Sequence, residues 1–346
     1  MQYGWPRTNV WWQAFRYYFV PPSFLPAMLG GIIAWAIAGE FHWEFYLITV
    51  IGVTLNHIAL NMTDDYYDYI NSVDRAGNHG RNPYSGGSGT LTLRLIRPDQ
   101  MRTVFLSGYL ITIILGLYLT FMRSPLVLGF GLFGMGCAYF YTAPPIRYGY
   151  YGFGELSQLI NFSFTIGMGA YFVQALAFSW ETFWAVLPLG FIMFSMIIIN
   201  EIPDYDEDKS GGKRTLVVIW GKNKAVWLYA AGLTSAFFII LITPILNLTT
   251  YWIYLSLSTI PWGVRAIRVA FRRYQTPVAL APANLLTIRI HNLGGILLFL
   301  GYLLHGIQMG RDTTYIWIPV LVLIILYFPV AGPIFFKRRV FMQNKM

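Results

Sequence analysis

One cysteine in 346 residues excludes an internal disulfide framework, and five histidines offer little for a soft-metal centre. Cys137 lies inside an apolar stretch, where it reads as a small apolar filler. His57, His291 and His305 also fall in apolar stretches, without metal-ligand partners at useful spacing, and read as structural. Charge is equally scarce. Only 11% of the residues are charged, against about 25% in an ordinary soluble domain, which excludes a conventional soluble globule.

What fills the chain is apolar: 56% of the residues are hydrophobic and 18% are aromatic. Crossing ~30 Å of hydrocarbon takes roughly 20 apolar residues, and such windows fall near 20–38, 43–62, 103–122, 124–142, 155–178, 182–200, 225–245, 249–268, 291–309 and 315–336. The expected fold is therefore all-α, a polytopic bundle of transmembrane helices forming one domain. With both termini in the cytoplasm, every Lys and Arg of the 24 except Arg123 and Arg311 falls on the cytoplasmic side. That bias supports an even number of spans and assigns the net charge of +9 to orientation and anionic lipid headgroups, not to nucleic acid. No short apolar core with a small-residue cleavage site opens the chain, so no removable signal peptide is expected. Trp5, Trp11, Trp12, Tyr17 and Tyr18 read as an interfacial belt.

Against this background the acids are conspicuous, because nine of the fifteen sit in two short clusters where apolar stretches meet polar loops. Asn61, Asp64, Asp65, Asp68 and Asp74 form the first, and Asn200, Glu201, Asp204, Asp206, Glu207 and Asp208 the second. On helices, Asn61, Asp64 and Asp68 share one face, as do Asn200, Asp204 and Asp208. Like charges stacked this closely call for a cation between them. Carboxylate and amide oxygens without His or Cys favour Mg²⁺, Mn²⁺ or Ca²⁺. Mg²⁺ usually takes one or two carboxylates and completes its shell with water and phosphate, so paired clusters point to a metal-bridged phosphate substrate.

Both clusters follow even-numbered spans and so belong at the same membrane face. Each leads into a related loop, SGGSGTL at 85–91 and SGGKRTL at 210–216, an echo that suggests a duplicated unit of about four helices. Pro203 permits two readings: a bent helix running through it, or a span ending near Glu201 with a separate short helix beyond. The loops at 75–102 and 205–224 are polar and Gly-containing, as functional lids often are, though plain connectors would look similar.

A diphosphate becomes a leaving group when metal and cationic side chains neutralise it, and Arg147, Lys213 and Arg214 are placed to contribute. A carbocation formed from an allylic diphosphate needs a dry cavity with aromatic faces. Tyr66, Tyr67, Tyr139, Tyr141 and Tyr148 stand near the motifs, where they are either such faces or ordinary membrane filler. Glu155, Gln158, Asn161 and Thr165 form a polar stripe on the fifth span, suited either to an acceptor pocket or to interhelical hydrogen bonding.

DDYYDYINSVD and NEIPDYDEDKSGGKRTL resemble the two aspartate-rich signatures of the UbiA superfamily of intramembrane prenyltransferases, and YTAPPIRYGYYGFGE resembles the segment joining its fourth and fifth helices. The similarity runs from about residue 20 to residue 308 and is greatest to the 1,4-dihydroxy-2-naphthoate polyprenyltransferase branch of menaquinone synthesis. It implies a nine-helix bundle whose cavity opens laterally to lipid, in a multi-pass protein of a prokaryotic plasma membrane. It also implies a polyprenyl diphosphate donor, an aromatic acceptor and Mg²⁺, with Mn²⁺ as a substitute. Asp64, Asp68, Asp74, Asn200, Asp204 and Asp208 would hold the metal and diphosphate, with Asp68, Asp204 and Arg147 as the catalytic residues. Asn61, Asp65, Arg81, Arg147, Lys213 and Arg214 would bind substrate, as would Tyr141, Gln158 and Asn161. Three features depart from the family pattern: Asp64 stands where Asn is usual, the loop GNHGRNPYSGGSGTL is rich in Gly and Asn, and the window at 315–336 exceeds nine helices.

Alternative acceptors with the same donor chemistry are a 4-hydroxybenzoate, a homogentisate-like phenol or a glycerol-based lipid. A CDP-alcohol phosphotransferase would need an Asp-Gly followed by Ala-Arg within its motif, a run that is absent. A cation transporter would place its ionisable groups near the bilayer midplane, often at broken helices.

Overall fold

The computed structural model describes residues 6–71, 73 and 82–331. Among these there are helices and no strands, as lipid demands of a spanning chain that must satisfy its own backbone. A short α1 (Thr8–Ala14) precedes α2 (Pro21–Ala38), α3 (Trp43–Ile70), α4 (Pro98–Met122) and α5 (Leu126–Phe140). The segment 154–175 forms α6, which is interrupted by a widened turn over Asn161–Met168. There follow α7 (Trp180–Ser210), α8 (Leu216–Ile245), α9 (251–273, opening as a tight 3₁₀ segment), α10 (Pro277–Gln308) and α11 (Trp317–Ala331).

Each of the ten apolar windows holds helix where it lies in the described residues, but they differ in kind. Among the described residues six helices, α2, α3, α4, α7, α8 and α10, are long and apolar enough to cross a membrane, whereas α5 has only fifteen residues. The protein is an integral, multi-pass membrane protein. The helices α3 and α7 outrun their apolar windows, α3 carrying Asp64, Asp65 and Asp68 and α7 the second cluster on their last turns. Helix α7 runs through Pro203, so the unbroken reading of that region holds.

Local chemistry explains several boundaries. Ser179, Thr215 and Thr250 each accept a backbone N–H at a helix start, and prolines open α2, α4 and α10, where a missing N–H costs nothing. Arg123 and Arg311, the two cations outside the charge pattern, do capping work. Arg123 donates to the carbonyls of Val173 and Gln174 at 2.7 and 2.6 Å, and Arg311 to those of Ala36 and Ile37 at 2.9 and 2.7 Å.

Burial orders the bundle: 89% of the apolar window of α2 is buried but only 17% of that of α4, so α2 runs through the core and α4 along the periphery. Close approach at the core depends on Gly30, where an added Cβ would lie 2.1 Å from the carbonyl oxygen of Gly167 on α6. The C-terminal ends of α3 and α7 face one small pocket at one end of the bundle, and groups of the segments 82–97, 141–153 and 211–215 bond to their acids.

Candidate active site

Each helix-end cluster is met by the loop that follows the other. Gly86, in the loop after the first cluster, donates its N–H to Asp204 Oδ2 of the second at 2.8 Å. Lys213, in the loop after the second, places Nζ 2.9 Å from Asp68 Oδ2 of the first. The sequence echo of the two loops is thus matched by a reciprocal exchange of contacts. Gly86 makes its turn at φ +72, a left-handed conformation that suits glycine.

Asp68 is held from two segments of the chain. Besides Lys213, it accepts the Tyr150 hydroxyl at 2.5 Å. Burial opposes the charge on Lys213, yet Asp68, Asp64 and Asp208 around it prevail and hold its pKa well above the ordinary lysine value. Burial, and then the Asp68 carboxylate, push the Tyr150 phenol upward, so it stays a protonated donor. Asp208 is buried, and its backbone carbonyl accepts from the Lys213 amide at 2.8 Å.

Adjacent aspartates on α3 diverge. Asp65 is buried and accepts the Ser88 amide on both oxygens at 3.1 Å, which anchors the 82–97 segment, with Arg16 at 3.7 Å. Asp64 faces a polar pocket of about 100 Å³ that it lines with Arg16, Asn61, Tyr141, Gln158 and Asn200. Asn61 donates to the carbonyl of Phe15, while Asn200 accepts from Asn284 at 2.8 Å. Arg147, in a left-handed conformation, donates to Asn71 Oδ1 at 3.4 Å and stacks 5.7 Å from the Tyr150 ring. The side chain of Arg214 is exposed and does not line the pocket; its amide donates to the carbonyl of Tyr150. Asp74 and Arg81 lie outside the described residues.

The polar pocket adjoins an apolar cavity of about 340 Å³ among α3, α4, α5 and α6, and the two share His57, Leu60, Gln158 and Phe162. Of the expected aromatic faces, Tyr141 lines the pocket and Tyr148 the cavity. Tyr66, Tyr67 and Tyr139 instead pack edge to face on one another and line neither. The polar stripe on α6 also divides: Glu155 is buried and accepts the Leu216 amide at the start of α8, whereas Gln158, Asn161 and Thr165 line the cavity.

Arg16, Tyr150, Asn284 and the amides of Gly86 and Ser88 were not legible as site groups. Arg16 and Asn284 lie far from either motif in sequence, and backbone donors carry no side-chain signal. Tyr150 alone offered one, since it stands inside the quoted YTAPPIRYGYYGFGE segment.

The donor set suits a hard divalent cation held jointly with phosphate. It is all oxygen, and Asp64 Oδ1 is buried on the rim of the polar pocket with no hydrogen-bond partner among the described residues. Among the described residues no three carboxylate, His or Cys side chains form a group able to hold an ion by themselves.

Residues 23–288 match the UbiA prenyltransferase family, and the chain belongs to that family. It is a prenyltransferase. The chain is 26% identical over 300 residues to the 1,4-dihydroxy-2-naphthoate octaprenyltransferase of Bacillus subtilis, covering 86% of this chain and 93% of that one. Its fold is shared with two solved structures. The apo UbiA homologue from Aeropyrum pernix aligns with a TM-score of 0.59 at 14% identity, over 82% of this chain and 97% of that one. The UbiA homologue from Archaeoglobus fulgidus bound to GPP and Mg²⁺ aligns at 0.53 and 14%, over 86% and 98%.

Proposed function

We propose that this protein transfers a polyprenyl group from an allylic diphosphate to 1,4-dihydroxy-2-naphthoate, a step of menaquinone synthesis, with Mg²⁺ as cofactor. The observation that carries the reading is the junction of a phosphate-type site with a hydrocarbon-type cavity: Asp64, Asn200 and the Asp68–Lys213 pair at the bundle end, and beyond the Gln158–Phe162 wall a long apolar space. The B. subtilis relative's name supports the acceptor, and the A. fulgidus homologue's bound GPP and Mg²⁺ support the donor and metal.

Asp64, Asp68, Asn200, Asp204 and Asp208, with Asp74, would hold Mg²⁺, which supplies charge to the diphosphate oxygens. The chain's own groups do the rest. Lys213 offsets negative charge as the carbon–oxygen bond breaks, and Tyr150 keeps Asp68 in place by a charge-assisted hydrogen bond. Arg147 lies close enough to Asn71 and Tyr150 to meet a diphosphate oxygen at the same mouth. The apolar cavity excludes water from the cation and takes the tail. The basic loops support a cytoplasmic position for this mouth. A cation transporter is disfavoured, because the acids lie at helix ends beside Lys213 and Arg16 instead of at mid-span.

Incubating the purified protein with geranylgeranyl diphosphate, Mg²⁺ and a panel of dihydroxynaphthoate, hydroxybenzoate, homogentisate and glycerol-phosphate acceptors, followed by mass spectrometry, tests the reading. A prenylated naphthoate product is expected. Exclusive prenylation of another acceptor would overturn the naphthoate assignment, and no product from any of them the transfer chemistry.

A further inference from the structure

The widened turn of α6 leaves hydrogen-bonding groups inside the apolar cavity, and their polarity can be assigned by counting protons. The Tyr148 hydroxyl donates its one proton to the carbonyl of Cys137 at 2.6 Å. Towards Ser157 Oγ, 2.9 Å away, it is therefore the acceptor, and the Ser157 proton is spent on it. Ser157 Oγ then accepts from Asn161 Nδ2 at 3.0 Å, while the same amide nitrogen donates to the Ser157 carbonyl at 2.9 Å. Turning the Asn161 amide over would set its oxygen against two acceptors, so the network fixes the orientation.

Asn161 Oδ1 is consequently an obligate acceptor. The residue is 8% exposed, the oxygen has no partner among the described residues, and the side chain lines the cavity. Thr165, four residues on, has a buried hydroxyl that is likewise unpartnered. Thr49, Thr54, Thr63, Thr112 and Thr120, in regular helix, all donate to the carbonyl four residues back. The turn over Asn161–Met168 is widened, and Thr165 makes no such bond. Asn56 Oδ1, on α3, is a third buried oxygen without a partner in the same cavity.

A prenyl tail is hydrocarbon and brings no proton to these oxygens; a hydroxylated aromatic ring does. We propose that Asn161 is a specificity-determining residue, its Oδ1 accepting a hydrogen bond from a ring hydroxyl of the acceptor, so that the site takes the reduced, hydroxylated ring and discriminates against quinone and O-methyl forms. The proposal rests on the prenyl-transfer reading and adds the acceptor chemistry to it. Asn161 lies one turn from Gln158, which lines both compartments, so a ring bonded there adjoins the diphosphate pocket. A buried acceptor left unpaired by the wrong ligand is what makes such discrimination steep.

The test uses the full chain in lipid nanodiscs with 1,4-dihydroxy-2-naphthoate, its O-methyl ethers and the corresponding quinone. Binding is read by tryptophan quenching without donor, and KM for acceptor and donor with geranylgeranyl diphosphate and Mg²⁺. Wild-type protein should bind the dihydroxy ring about 10- to 100-fold more tightly than at least one ether and the quinone. Asn161→Leu should erase most of that ratio and raise the acceptor KM at least about tenfold, with the donor KM within about twofold. Equal binding of diol, ethers and quinone by the wild type overturns the proposal without recourse to any variant. A preserved ratio in a folded Asn161→Leu protein overturns it too. Wild-type binding that discriminates as expected, with no transfer to any acceptor, would sink the prenyl-transfer reading and leave the Asn161 assignment standing.

Discussion

Replacing Lys213 with methionine removes a buried cation that lies among Asp64, Asp68 and Asp208. The ammonium lies 2.9 Å from Asp68 Oδ2, and both side chains are at most 10% exposed. At an effective dielectric near 20, such a pair interacts by about 6 kcal/mol before desolvation is counted. Deleting one partner of a buried pair commonly costs about 3–5 kcal/mol, because the other charge is left without its counter-ion. Here three carboxylates lose the same cation, so Lys213→Met should lower the unfolding free energy in EDTA by about 4 kcal/mol. Added Mg²⁺ should stabilise the variant more than the wild type, since it offers the carboxylates the charge they lack. The double variant Lys213→Met with Asp68→Asn should be more stable than Lys213→Met alone, a coupling that reports the pair directly. The pH dependence has a definite sign. Because the folded pKa of Lys213 is raised, its contribution is complete below the ordinary value of 10.5 and is lost only as the pH climbs through the higher folded value. Unfolding followed by tryptophan fluorescence in detergent micelles, with EDTA or Mg²⁺, measures all of this. A Lys213→Met protein that unfolds at the wild-type temperature in EDTA, and gains no more from Mg²⁺ than the wild type does, would refute the electrostatic account.

Asp204→Asn and Asp68→Asn should each reduce transfer below about a tenth of wild type at saturating Mg²⁺, since charge stabilisation at a leaving group is commonly worth several kcal/mol; the check is initial rates alongside unfolding temperatures, and activity above that level rejects the metal assignment. A Ser210→Cys variant in intact cells should not react with an impermeant external thiol reagent, and labelling from outside would place the acidic clusters on the wrong face. Arg214→Ala should alter kcat/KM by the same factor for two donors of different length and leave the ratio between two acceptors unchanged. A switch in acceptor preference would show that this exposed side chain does other work.

The class of fold and the placement of its chemistry were present in the sequence because both are local and periodic. Apolar windows long enough to span a bilayer become helices, and each of the ten did so where it is described, although α5 is short, α6 is widened midway and α9 opens as a 3₁₀ segment. The spacing of Asn61, Asp64 and Asp68, and of Asn200, Asp204 and Asp208, set one face on each helix whatever the helices packed against. Contacts between distant segments had no such signature. That Asp64 lines the pocket while neighbouring Asp65 anchors a loop depended on the rotation of α3 within the bundle. That each glycine-containing loop reaches the opposite cluster depended on how the ends of α3 and α7 are placed about one pocket. Arg16, remote from both motifs in sequence, reaches Asp64 and Asp65 only because α2 and α3 pack together. The stripe of Gln158, Asn161 and Thr165 was visible as polar residues on an apolar helix, but its meaning was not. Proton-by-proton bonding from Tyr148 through Ser157 to Asn161, and the widening of the turn around Thr165, arise from backbone geometry and packing that no residue spacing encodes.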